Sequence, residues 1–135
     1  MRHRILMIEN DADDRYLTEE MFLSQGFDAD VDFIDSNALQ SYLDTQQDKP
    51  HLIILDCDAR LHLFTNLIKQ IRRTASYQLV PIVVLSNTTR PEDVQESYSC
   101  GANSYITKPA DYEGALFKIS SFINYWFQTV ELPGV

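Results

Sequence analysis

Four short apolar runs, each cut off by a polar residue, constrain the fold of this 135-residue chain more than any other feature. Ile5-Leu6-Met7-Ile8 stops at Glu9-Asn10-Asp11, and Leu52-Ile53-Ile54-Leu55 stops at Asp56. Pro81-Ile82-Val83-Val84-Leu85 stops at Ser86, and Ser104-Tyr105-Ile106-Thr107 stops at Lys108-Pro109. Unbroken apolar runs of this length match strands buried on both faces of a parallel sheet. Parallel strands place their C-terminal ends along one edge, so acids, a hydroxyl and an ammonium group converge there.

Helix-like segments separate the runs. Asn10 or Asp11 can cap a helix reaching about Ser24, with Tyr16, Leu17, Met21 and Phe22 on its apolar face and Gly26 ending it. Asp30-Val31-Asp32-Phe33-Ile34 alternates polar and apolar, as an edge strand does. A short helix with Leu39, Tyr42 and Leu43 closes before Pro50, and another carries Leu63, Leu67, Ile68 and Ile71. Pro91-Glu92-Asp93 suits a first helical turn, and Cys100-Gly101 stops that helix. The last helix is expected from about Asp111 towards Thr129. Strands alternating with helices imply one doubly wound α/β domain, in which ligands bind at the carboxyl ends of strands.

Charge narrows the partners. Lys and Arg number 11 against 20 Asp and Glu, a formal charge of −9, which opposes nucleic-acid phosphates. The longest apolar stretch is too short to span a bilayer, and Met1-Arg2-His3-Arg4 leads into too little apolar sequence for a signal peptide. A cytoplasmic location is expected, with no direct DNA or membrane partner. Cys57 and Cys100 lack metal-type spacing and read as reduced thiols.

The converging groups suit transfer of a phosphoryl group onto an aspartate. An attacking carboxylate and a phosphoryl group repel each other, so catalysis rests on positioning and charge neutralisation. Mg²⁺ takes hard oxygen ligands, which Glu9, Asp56 and the side chain or carbonyl of Asp58 can supply. Lys108 can pair with one phosphoryl oxygen and the Ser86 hydroxyl can donate to another. Singly, each residue has a plainer role: a helix cap, a turn residue or a solvated charge. Their placement after successive apolar runs argues for a site.

These residues resemble the receiver domains of two-component response regulators. That family has an acidic pair after strand one, a phosphoacceptor Asp after strand three, Ser/Thr after strand four and Lys-Pro after strand five. Here the pattern reads Glu9-Asn10, Asp56, Ser86 and Lys108-Pro109, and Gly101 to Pro109 looks like the family's fifth-strand segment. The resemblance implies a flavodoxin-like five-stranded sheet of order 2-1-3-4-5 and a stand-alone receiver without an output domain. It also implies Mg²⁺ held by Glu9, Asn10, Asp56 and the Asp58 carbonyl. A histidine kinase or phosphotransfer protein would donate to Asp56, and Tyr105 would change rotamer as Ser86 is drawn to the phosphoryl group. The face of the fourth helix, fifth strand and fifth helix would then switch its binding to a downstream protein. On this reading the chain is no enzyme beyond its own phosphotransfer and dephosphorylation.

The departures from the pattern carry expectations too. Asn10 stands where a second acid is usual. At an effective dielectric near 20, a charge lost at about 4 Å removes roughly 4 kcal/mol of gross attraction per unit of metal charge. Weaker Mg²⁺ binding follows, with Asp11 compensating through water. Arg60 in place of a proline and Phe64 in place of a glycine predict altered geometry after Asp56, and Asn87 predicts narrower access to it.

Leu116, Ile119, Ile123, Trp126 and Val130 keep helical spacing, with Phe122 and Phe127 widening the stripe. Trp126 and Phe127 exceed what receiver packing requires. The segment Phe122 to Pro133 resembles the tail of phytochrome-associated single-domain response regulators, which implies a two-fold homodimer through the last helix and tail. The division expected is a receiver over 1–129 and a tail over 130–135. Two other functions fit parts of the sequence. Asp56-Cys57-Asp58 matches the DxD motif of haloacid-dehalogenase-type phosphatases, although their metal-binding acids follow the lysine. Asn10, Arg60 and Phe64 suit a receiver-like interaction module that no longer uses phosphorylation.

Overall fold

The structure is a computed structural model, and it describes residues 3–57 and 61–134, with backbone alone over 61–63. Strands β1 (His3–Ile8), β2 (Ala29–Ile34), β3 (Leu52–Cys57), β4 (Ile82–Ser86) and β5 (Ser104–Thr107) alternate with helices. The helices are α1 (Ala12–Ser24), α2 (Leu39–Thr45), α3 (Leu61–Arg73), α4 (Pro91–Cys100) and α5 (Tyr112–Ile123). All pairings are parallel, in the order β2-β1-β3-β4-β5, which is the topology expected from the sequence. After β1 the chain moves outward to β2 and then crosses back to β3, so the switch point lies between β1 and β3.

Because successive strand residues face opposite sides, each central strand feeds two layers. Leu6, Ile8, Ile53, Leu55 and Val84 meet Leu39 and Leu43 of α2 and Phe64, Ile68 and Ile71 of α3. Ile5, Met7, Ile54 and Val83 meet Phe22 of α1 and Phe122 and Ile123 of α5. Phe64 therefore serves the core, while the loop after β3, whose geometry the sequence predicts to be altered, lies outside the described residues.

Two expectations about apolar faces need correction. On α1 only Phe22 is buried, whereas Tyr16 and Leu17 are 65% and 48% exposed. Tyr16 lies six residues before Phe22, roughly 120° around the helix, so the two cannot share a buried face. After α5 the chain widens into a π-helical segment, Asn124–Thr129, and Val130 N–H reaches Tyr125 O, five residues back, at 3.0 Å. Phe127 here packs 4.7 Å from the His3 ring and 4.8 Å from Phe27, measured between centroids. Leu132 is buried in the same layer and Trp126 is half-buried against it. The tail aromatics thus satisfy the chain's own core. No helix among the described residues is long and apolar enough to cross a membrane.

Candidate functional site

Register brings the expected residues to one edge. Ile8 pairs with Leu55, Cys57 with Ser86, and Ser86 with Thr107, so Glu9, Asp56, Ser86 and Lys108 line the ends of four adjacent strands. Two backbone bonds extend this order past the strands: Glu9 N–H to Ile34 O at 3.0 Å and Lys108 N–H to Ser86 O at 2.7 Å. Glu9, Asp56 and Ser86 are buried. The Lys108 ammonium forms an ion pair with Asp56 Oδ1.

Burial, and then the nearby Asp56 carboxylate, push the Glu9 carboxyl up to about 8. A hydrogen bond with Asp14 adds to this, and Lys108 opposes it. Negative charge is therefore crowded beyond what the Lys108 ammonium offsets, which is the condition a hard divalent cation relieves. Glu9 and Asp56 fit such an ion. Among the described residues no three His, Cys, Asp or Glu side chains already surround one point at ligating distance.

Asn10 is engaged elsewhere. Its Oδ1 accepts from Ser36 N–H at 2.8 Å, and its Nδ2 donates to Ser36 Oγ at 3.2 Å, fastening the loop after β1 to the turn after β2. Asp11 Oδ1 caps α1, accepting from the N–H groups of Asp13 and Asp14 at 2.8 and 3.1 Å. Asp58 and Arg60 lie outside the described residues. Asn87 is exposed and does not line the cavity beside Asp56.

Ser86 and Tyr105 meet on one turn. Ser86 Oγ accepts from Thr88 N–H at 3.2 Å, and the Tyr105 hydroxyl donates to Thr88 O at 2.8 Å. Thr88 Oγ1 in turn donates to Asp93 on α4 at 3.2 Å. A displacement of Ser86 would thus act on the carbonyl that holds Tyr105. Burial raises the Tyr105 phenol above its ordinary range.

Sequence reasoning missed Asp14. This half-buried residue lies in the first turn of α1 and lines a cavity of about 250 Å³ with Asp56 and Lys108. It is also one of the groups that push the Glu9 carboxyl up. The only signal was its spacing, three residues after the cap, and a first-turn acid reads more simply as a partner of the helix dipole.

Comparison with known proteins agrees with this geometry. The model for the response regulator receiver domain matches residues 5–119. The response regulator Rcp1 of Synechocystis is 25% identical, over 96% of this chain and 92% of its own length. Its Mn²⁺-bound crystal structure superposes with a TM-score of 0.84 at 25% identity, covering 98% of this chain and 99% of that one. The phosphorylated cyanobacterial phytochrome response regulator RcpA superposes with a TM-score of 0.88 at 24% identity, covering 99% and 100% of the two chains. The acids of the site also precede Asp56, against the order of a haloacid-dehalogenase phosphatase. With its ordered strand ends and a family match spanning most of its length, the chain belongs to the response regulator receiver domain family.

Proposed function

We propose that this chain accepts a phosphoryl group on Asp56 from a phosphohistidine of a histidine kinase or phosphotransfer protein, with Mg²⁺ at Glu9 and Asp56. The observation that carries this reading is the buried Asp56 carboxylate, ion-paired to Lys108 and flanked by Glu9 and Ser86 at the sheet edge. An Asp56 carboxylate oxygen forms a bond to phosphorus as the phosphorus–nitrogen bond to the donor histidine breaks, and the imidazole leaves with the electron pair. Lys108 then pairs with the transferred group and Ser86 donates to it. Mg²⁺ supplies charge neutralisation between the two anions.

In this reading the acylphosphate draws Ser86, shifts the turn at Thr88 and re-sets Tyr105, which changes what α4, β5 and α5 bind. The chain is modified once, with no turnover beyond hydrolysis of its own acylphosphate. It works in the cytoplasm, on protein partners, and pairs as a homodimer through α5 and the segment after it, with 130–135 as tail.

The test is incubation with acetyl phosphate and Mg²⁺, read by intact mass. The wild type gains one phosphoryl group and Asp56→Asn gains none. An unmodified wild type, unresponsive also to beryllofluoride, favours the phosphorylation-independent module. The engagement of the Asn10 amide by Ser36 is the observation on that module's side.

A further inference from the structure

We propose that Asp14 supplies the carboxylate that position 10 lacks, accepting hydrogen bonds from the water shell of the bound Mg²⁺. This rests on the reading of Asp56 as an Mg²⁺-dependent phosphoacceptor and assigns the second acid of that site to a different element.

The other candidates for the role are occupied. Turning the Asn10 oxygen to a metal would break its bond to Ser36 N–H, which ties two loops together. Asp11 is turned to the cap of α1 and, unlike Asp14, does not line the cavity beside Asp56. Asp14 bears neither duty. Because Asp11 fixes the first turn, the residue three positions on is directed back over the strand ends. There it lines the same cavity as Asp56 and Lys108. Two carboxyls, Asp14 and Asp56, face that cavity, and a hydrated divalent ion suits the space between them.

Action through water follows from two facts. No acid trio among the described residues already rings a point closely enough for direct ligation. Mg²⁺ also dehydrates reluctantly and keeps several waters in sites built on one or two carboxylates. Asp14 is thus a positioning residue, orienting metal-bound water against Glu9.

The experiment is a calorimetric Mg²⁺ titration of the full chain, with Tm measured in chelator and in Mg²⁺. The variants are Asp14→Asn, Asn10→Asp and the two combined. Asp14→Asn weakens Mg²⁺ binding by about 10- to 100-fold, as loss of an outer-shell partner does. It also shrinks the Mg²⁺-dependent rise in Tm, while the Tm in chelator stays level or increases. Adding Asn10→Asp to Asp14→Asn restores much of the affinity, through a carboxylate placed beside Glu9. Wild-type affinity in Asp14→Asn overturns the proposal, and so does a loss of Tm in chelator that matches the loss in Mg²⁺. If wild-type Asp56 is still labelled by acetyl phosphate in those cases, only the role of Asp14 falls. A wild type that binds no Mg²⁺ removes the proposal and the reading beneath it together.

Discussion

Glu9 holds a proton in the metal-free protein where an ordinary glutamate would have lost it. Its carboxyl, pushed up from 4.5 to about 8, binds a proton more tightly in the folded chain than in the unfolded one. The stability this gives is present in full below pH 4.5 and is lost as pH rises towards about 8. Metal-free protein should therefore lose Tm between these limits, and saturating Mg²⁺ should flatten the profile by compensating the carboxylate. Glu9→Gln, neutral at every pH, should remove most of the slope and abolish tight Mg²⁺ binding. Thermal melts from pH 5 to 9 in chelator and in Mg²⁺ check this. A slope unchanged in Glu9→Gln would place its origin elsewhere. The sequence made Glu9 legible because it ends an apolar strand. Its protonation was not, because that depends on burial and on the nearby Asp56 carboxylate, which only the folded chain brings together.

Among the elements, Arg72 of α3 gathers backbone oxygens from two separate segments. Its Nε donates to Gly101 O at 3.0 Å, and its Nη1 donates to Tyr77 O at 3.1 Å and Val80 O at 2.8 Å. Its Nη2 reaches Asn103 Oδ1 at 2.8 Å, an atom that also accepts from Ile82 N–H at the start of β4. One planar fork thus joins the end of α3, the entry to β4 and the turn from α4 into β5. Gly101 completes the arrangement: its φ is 122°, and a Cβ there would lie 2.7 Å from Arg72 Cγ. Arg72→Ala strands several part-buried acceptors and should cost about 2–4 kcal/mol in urea unfolding. Arg72→Lys should recover only part, since an ammonium cannot reproduce the fork. A loss under about 0.5 kcal/mol, the range of ordinary surface changes, would reduce Arg72 to an exposed charge.

The central strands were legible because both their faces are buried, so apolar runs such as Leu52 to Leu55 have no competing pattern, and β2 was legible by the alternation of an edge strand. Helix phase was less legible. Tyr16 and Leu17 look like core residues in the sequence, yet α1 turns Phe22 inward instead. Arg72 carried no sequence signal at all, since a basic residue near a helix end is usual and its acceptors come from two segments, one about thirty residues away. Phe127 was read as surplus because α-helical counting cannot anticipate a π-helical turn.

For the whole molecule, that turn separates two roles which the sequence had merged in one aromatic tail. Phe127 and Leu132 belong to the layer beneath β1 and β2. Phe117 and Tyr125, 72% and 52% exposed, are left on the outside of the same C-terminal stretch. If the chain pairs through α5 and the segment after it, the contact must be made by these outward rings. Phe117→Asp should then shift the mass in light scattering from twice 15.6 kDa to the 15.6 kDa of one chain, with little change in Tm. Phe127→Ala should do the opposite. It removes a ring packed against His3, Phe27 and Phe122, so it should cost about 3–5 kcal/mol of folding stability. Any effect of Phe127→Ala on dimer mass would come only through unfolding. A wild-type mass of 15.6 kDa at every concentration, in Mg²⁺ with and without beryllofluoride, would remove the dimer and leave both rings with their single-chain roles. A dimer that survives Phe117→Asp unchanged would move the contact off α5, towards the exposed surface that α4 presents at Tyr98.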